Sequence, residues 1–159
     1  VGALAFDDGL RRELRPRRRG AAAVAHALHD LEPSEAESDY ERAFAVAARR
    51  QRCLLVVFSD LFEESASRPL LASLPLLARR HAVIVATASD PLLAAAVAAL
   101  AEDVEDVLRA AVAAEALDAR RRVAARLGGS GVQVLEAPPR ALPDAAVRAY
   151  LRLKARARI

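Results

Sequence analysis

Short, uninterrupted apolar runs alternate along this chain with longer segments in which apolar residues recur every three or four positions. The clearest run is CLLVVFSD at residues 53–60, where five apolar side chains precede Ser59 and Asp60. A Val- and Leu-rich run bounded by charges predicts a strand buried on both faces of a parallel sheet. HAVIVAT at 81–87 and VQVLE at 132–136 read the same way. VGALAF at 1–6 is a further strand, and Asp7-Asp8-Gly9 after it is turn chemistry. Residues 10–16 then return as an antiparallel edge strand, for which their Arg residues and Pro16 are suited.

The segments between carry the helical period. Residues 20–31 place Val24, Leu28 and Leu31 on one face. Ser38 or Asp39 caps a helix over 40–51, with Tyr40, Phe44 and Ala47 or Ala48 inward. A helix over 68–80 has Pro69 in its first turn, and Pro75 is expected to kink or break it. Ser89-Asp90-Pro91 opens a helix running to about residue 100. In the long helical stretch 102–127, Val104, Val107, Leu108, Ala111 and Val112 share one side and Arg120, Arg121 and Arg122 are expected in solvent. The glycines of 128–131 stop it. A last helix over 143–156 is expected to pack Val147, Tyr150 and Leu151 on the sheet.

Alternating helices and apolar strands argue an α/β domain, a doubly wound, Rossmann-like, mostly parallel sheet with helices on both faces. About five strands are expected, with 54–58 interior beside 83–86. Sheets of this kind bind ligands beyond the carboxyl ends of their strands, which is where Ser59 and Asp60 fall; Asp60 reads equally as the start of a loop or a cap.

Composition changes this picture little. The 159 residues make one domain, 1–159, of ordinary size. Hydrophobic content of 54% is mostly Ala, Leu and Val, and the bases are nearly all Arg, with Lys154 the one lysine. That pairing looks like a GC-rich coding bias, so Arg content carries no functional message. The formal net charge is only +3, which points to no specific nucleic acid. Arg15 to Arg19, without interleaved aromatic residues, reads as a solvated connector before it reads as a phosphate patch. Cys53 is the single cysteine, so no internal disulfide forms. No run approaches the ~18 apolar residues of a membrane span, and no signal peptide is visible. With no Met and an opening in mid-strand, the chain is expected to be a fragment whose start lies upstream.

Catalytic motifs are not evident. The Gly-rich segment follows a helix instead of opening one, there is no Walker lysine, and no Gly-x-Ser-x-Gly elbow occurs. His26 and His29, at i and i+3, could share a metal but lack a nearby third ligand. What stands out is a set of oxygen ligands, Ser38, Asp39, Ser59 and Asp60, with Asp7 and Asp8 as further members. Hydroxyls and carboxylates without imidazole or thiolate suit a hard cation such as Mg²⁺.

The series VGALAFDD, LHDLEP, SDYERAF, RRQRCLLVVFSDLFEE, LARRHAVIVATASDP, RAAVAAEALDARR and GVQVLEAPPRALPDAAVRAYLRLKAR resembles, in order and over essentially the whole chain, the carboxyl-terminal part of the "domain of unknown function 58" family. The core of that family is similar to a von Willebrand factor type A domain, doubly wound with a metal ion-dependent adhesion site above the sheet. Its metal motif is Asp-x-Ser-x-Ser after the first strand, a Thr in a middle loop, and an Asp ending the fourth strand. By this resemblance Asp60 matches the last Asp, and Ser38, or else Asp39, stands near the Thr. The Asp-x-Ser-x-Ser segment is not in these residues and is expected upstream of Val1. The implied domain is thus amino-terminally truncated and misses its first strand, leaving apolar edges on 1–6 and 53–58 that would favour aggregation or dimerisation. The site would be incomplete, with Mg²⁺ in the complete domain and none in this part alone.

Family members commonly carry amino-terminal membrane helices and are often encoded beside MoxR-type AAA+ ATPases in bacteria. The resemblance therefore implies a non-enzymatic protein-interaction module, working with such an ATPase in assembly or maturation of other proteins. Its place would be the cytoplasm, or the cytoplasmic face of the membrane, with membrane contact only through a missing amino-terminal region. The alternative is a metal-assisted hydrolase on a Rossmann-like sheet, with Asp60 and an upstream acid as ligands. A third reading is a basic nucleic-acid-binding module using Arg15 to Arg19 and Arg120 to Arg122.

Overall fold

A computed structural model describes residues 1–18, 20–59 and 68–155. The chain divides into two compact units, Val1–Arg50 and Gln51–Ile159.

In the first unit, β1 (Ala3–Phe6) pairs antiparallel with β2 (Leu10–Leu14), and the register shifts between Ala5 and Phe6. The Asp7-Asp8-Gly9 turn and the return strand are therefore as expected. At the start of the hairpin a side chain on Gly2 would lie 2.6 Å from the Leu14 carbonyl oxygen, so only glycine fits this approach. Helix α1 (Ala21–Leu28) buries no residue: Val24 is half-buried and Leu28 is 38% exposed. Its tie to β2 is polar, with Arg12 donating to the Ala27 carbonyl and pairing with Asp30. Helix α2 (Tyr40–Ala48) does bury the predicted face, through Phe44, Ala47 and Ala43. Phe6, Tyr40 and Phe44 form an aromatic trio, edge-on at 5.5 and 6.4 Å from Phe6, which joins strand to helix.

The second unit is a three-stranded parallel sheet in the order β3 (Leu54–Phe58), β4 (Ala82–Ala88), β5 (Gln133–Ala137). The expectation of one sheet of about five strands with 54–58 interior is not met. The strands form two separate sheets, β4 is the central strand, and β3 is an edge among the described residues. The reason is legible in burial: Val83, Ile84, Val85 and Ala86 are all at 3% exposure or less, whereas Val56 and Phe58 stand at 36% and 69%.

Parallel strands need crossover connections, and helices supply them. Between β3 and β4 runs α3 (Arg68–Ala78), which continues through Pro75 and buries Leu70, Leu74 and Leu77. Between β4 and β5 run α4 (Pro91–Ala98) and the long α5 (Val104–Gly129). Asp90 and Asp103 cap them by accepting from the Leu92 and Asp106 amides. The glycine segment ends α5 as expected, with Gly131 at φ +82°. After β5, α6 (Leu142–Ala155) packs Ala149 and Leu153 on Ile84, together with Leu54, Ala82 and Leu135. Side chains alternate across a strand, so Val83 and Val85 face the other side, where α3 and α5 meet the sheet. The α/β architecture with helices flanking a parallel sheet is thus as expected.

Two helices present other faces than expected: Arg120 of α5, expected in solvent, is buried, and α6 turns Val147 and Leu151 away from the sheet. In α5, Val104, Val107, Leu108 and Val112 are 55–75% exposed, and the buried residues are Ala113, Arg120, Val123 and Leu127. In α6, Val147 and Leu151 point outward and the smaller Ala149 takes the contact with the sheet. These burials make a direct test. Ile84→Ala is expected to cost about 2–5 kcal/mol in urea unfolding, while Leu108→Ala should stay within about 0.5 kcal/mol of the parent.

Candidate functional site

Ser38 and Asp39 lie where the chain enters α2, against the turn that follows β1. The Asp39 amide donates to the Asp7 carbonyl oxygen at 2.6 Å, which fixes the helix start to the hairpin turn. Asp39 Oδ1 accepts from the Arg42 amide at 2.9 Å, so between Ser38 and Asp39 it is Asp39 that caps the helix. Ser38 borders a cavity of about 200 Å³ together with Asp7, Arg11, Glu32 and Ser34.

Asp7 is the electrostatic centre of this corner. Its side chain is mostly buried and pairs with Arg11 at 2.5 Å across the turn, and it also accepts from the Gly9 amide at 3.2 Å. The Arg11 guanidinium holds the Asp7 carboxyl below the usual carboxylate range; burial opposes it, and the Gly9 amide and Asp8 assist. A cation therefore already sits on this carboxylate, and it belongs to the protein. Among the described residues no cluster of three His, Cys, Asp or Glu side chains is arranged to hold a metal ion. Of the oxygen residues at this corner, Asp7 is engaged by Arg11 and Asp39 by the Arg42 amide. His26 and His29 are both exposed on and beside α1.

At the carboxyl edge of the parallel sheet, the Ser59 amide donates to the Ala86 carbonyl at 3.3 Å, carrying the ladder one residue past β3. Asp60, the residue matched to a metal ligand, lies outside the described residues. Further along the edge, Thr87 is 3% exposed and pairs in register with Glu136 of β5. Arg120 of α5 is also 3% exposed, and its guanidinium lies 3.9 Å from the Glu136 carboxylate.

Arg120 was expected in solvent with Arg121 and Arg122, and its burial corrects that expectation; Thr87 was read only as the end of a strand. A signal for Arg120 existed, since Ala113, Arg120, Val123 and Leu127 keep the helical spacing i, i+7, i+10, i+14. Taking every arginine as solvated hid it. Exposed Arg15, Arg17 and Arg18 do behave as a solvated connector, and Arg19 lies outside the described residues. At the opposite end of the sheet, Cys53 Sγ and His81 Nδ1 approach to 3.6 Å, with His81 only 4% exposed. That pair is a packing contact between neighbouring strand starts, remote from the carboxyl edge.

The Asp7–Arg11 pair has a pH signature. Because the folded value is depressed, the unfolded chain binds the proton more readily. The stabilisation is fully present above the unfolded value of about 3.9 and is lost as pH falls through the lower folded value. Asp7→Asn is expected to lower the melting temperature at pH 7 and to flatten its decline below about pH 4. Melts between pH 2 and 7 check this, and equal slopes for both proteins would remove Asp7 from the account.

Comparison with known proteins finds no family model that matches this chain, no similar curated protein and no similar solved structure.

Proposed function

We propose that this chain is a protein-interaction module of the von Willebrand factor type A kind, working with a MoxR-type AAA+ ATPase in the assembly or maturation of other proteins. The observation that supports this reading best is the outer strand of the parallel sheet. β3 is wholly apolar, pairs only with β4 among the described residues, and leaves Val56 and Phe58 exposed on the face that α6 covers elsewhere. An apolar edge strand with its ladder open on one side is a surface on which another strand or helix packs. In the resembled domains, the strand bearing Asp-x-Ser-x-Ser lies beside this one. Mg²⁺ enters the proposal through Asp60, two residues past the end of β3 in the sequence.

The test is a titration of the chain with a MoxR-type ATPase. Phe58→Ser should weaken binding by about tenfold or more while leaving the thermal melt nearly unchanged, since the side chain is 69% exposed. Asp60→Ala should abolish any Mg²⁺-dependent part of the binding. Unchanged affinity in the Phe58 variant would overturn the assignment of this surface.

A further inference from the structure

Helices α4 and α5 form a lobe whose surface is unlike the rest of the second unit. α4 buries no residue, and its principal neighbour is α5. Leu92, Leu100, Val104, Val107, Leu108 and Val112 are all 55–93% exposed. Four of these follow the spacing i, i+3, i+4, i+8 along α5, so they form one stripe directed away from its buried side. Between α4 and α5, on a side of α5 to which the stripe contributes no residue, lies an open cavity of about 360 Å³ lined by Leu92, Ala95, Ala96, Ala99, Asp106 and Arg109. Four large apolar side chains exposed along one face of a helix are the kind of surface that marks an interaction site.

The charge around the stripe selects among its possible occupants. Residues 90–115 carry six carboxylates, Asp90, Glu102, Asp103, Glu105, Asp106 and Glu115, against a single guanidinium on a chain of net charge +3. That guanidinium, Arg109, is already held by Glu105 and Asp106, each at 2.7 Å. An anionic bilayer would meet repulsion here, and two copies docked lobe to lobe would oppose like charges. A helix with one apolar stripe flanked by Lys and Arg meets both requirements.

We infer that the α4–α5 lobe is a docking surface for a basic amphipathic helix of a protein partner, with its apolar residues on the Val104–Val107–Leu108–Val112 stripe and its cations against the surrounding carboxylates. The inference rests on the interaction-module reading and assigns a second, chemically distinct surface to it.

The probe is a synthetic Leu/Lys helix of about 18 residues with leucines at the amphipathic spacing, titrated into the full chain by fluorescence anisotropy. The same peptide with Glu for Lys, and phosphatidylcholine/phosphatidylserine vesicles, serve as competing probes. The basic peptide should bind, the acidic one at least about tenfold more weakly, and added salt should weaken the complex. The double variant Val104→Ser/Leu108→Ser should lose about tenfold in affinity. Glu102→Lys/Glu115→Lys, which touches no apolar side chain, should lose affinity and salt dependence together. Equal binding of both peptides, preference for the vesicles, or unchanged affinity in both double variants would overturn the inference. So would sedimentation showing dimers that the Val104/Leu108 variant dissolves. No ATPase takes part in this titration, so its failure would leave Phe58-dependent ATPase binding standing, and the reverse holds as well.

Discussion

The second unit depends on the double-sided burial of β4. Four consecutive residues, Val83 to Ala86, are withdrawn from water, so both faces of that strand must be covered and both edges paired. Parallel neighbours on either side satisfy the backbone, but each requires a crossover long enough for a helix. α3 and α5 are those crossovers, and they supply Leu70, Leu74, Leu77, Val123 and Leu127 on the Val83 face. The remaining face falls to α6, the helix that follows the last strand. Ile84, with no exposed surface, stands where β4 and α6 meet. Its removal leaves a cavity that neither a strand nor a helix can close without losing its own partners.

Strands were legible in the sequence because their signal is local. Five apolar residues in a row between charges have few other uses, and LLVVF, AVIVATA and QVLEA are all strands. Helix existence was equally plain, but helix orientation was not. The helices are rich in alanine, so apolar residues occur all round them and the larger ones were taken as the inner face. In α6 the inner face is Ala149 with Leu153, and Val147 and Leu151 point out. A small side chain lets a helix approach a sheet closely, and the gain in contacts along its length outweighs burial of one or two larger groups. The same choice places Ala113 inside and Val112 outside in α5.

The polar sites divide in the same way. Asp39 as a cap was legible, because an Asp before a helix start has a local partner in the amide three residues on. Arg11 over Asp7 depends on how the hairpin turn brings two side chains together, which no periodicity encodes. Arg120 opposite Glu136 needs the packing of α5 against β5, a contact settled only once the whole sheet is assembled. A buried arginine is tolerable only with charged or hydrogen-bonding company, so its position marks where α5 and β5 must stay in register.

The net charge of +3 conceals a segregated surface. Carboxylates gather over residues 90–115 of the α4–α5 lobe, while the outward side of α6 sets Val147, Tyr150 and Leu151 among Arg148, Arg152 and Lys154. Lys154 lies 5.9 Å above the Tyr150 ring, where the aromatic face favours a cation. Exposed Leu and Val side chains forgo about 1.5–3 kcal/mol each of available burial, so an apolar surface of either sign is a standing source of association energy. Charge of opposite sign around the two surfaces gives each a different set of acceptable partners, because like-charge juxtaposition repels at one what it attracts at the other.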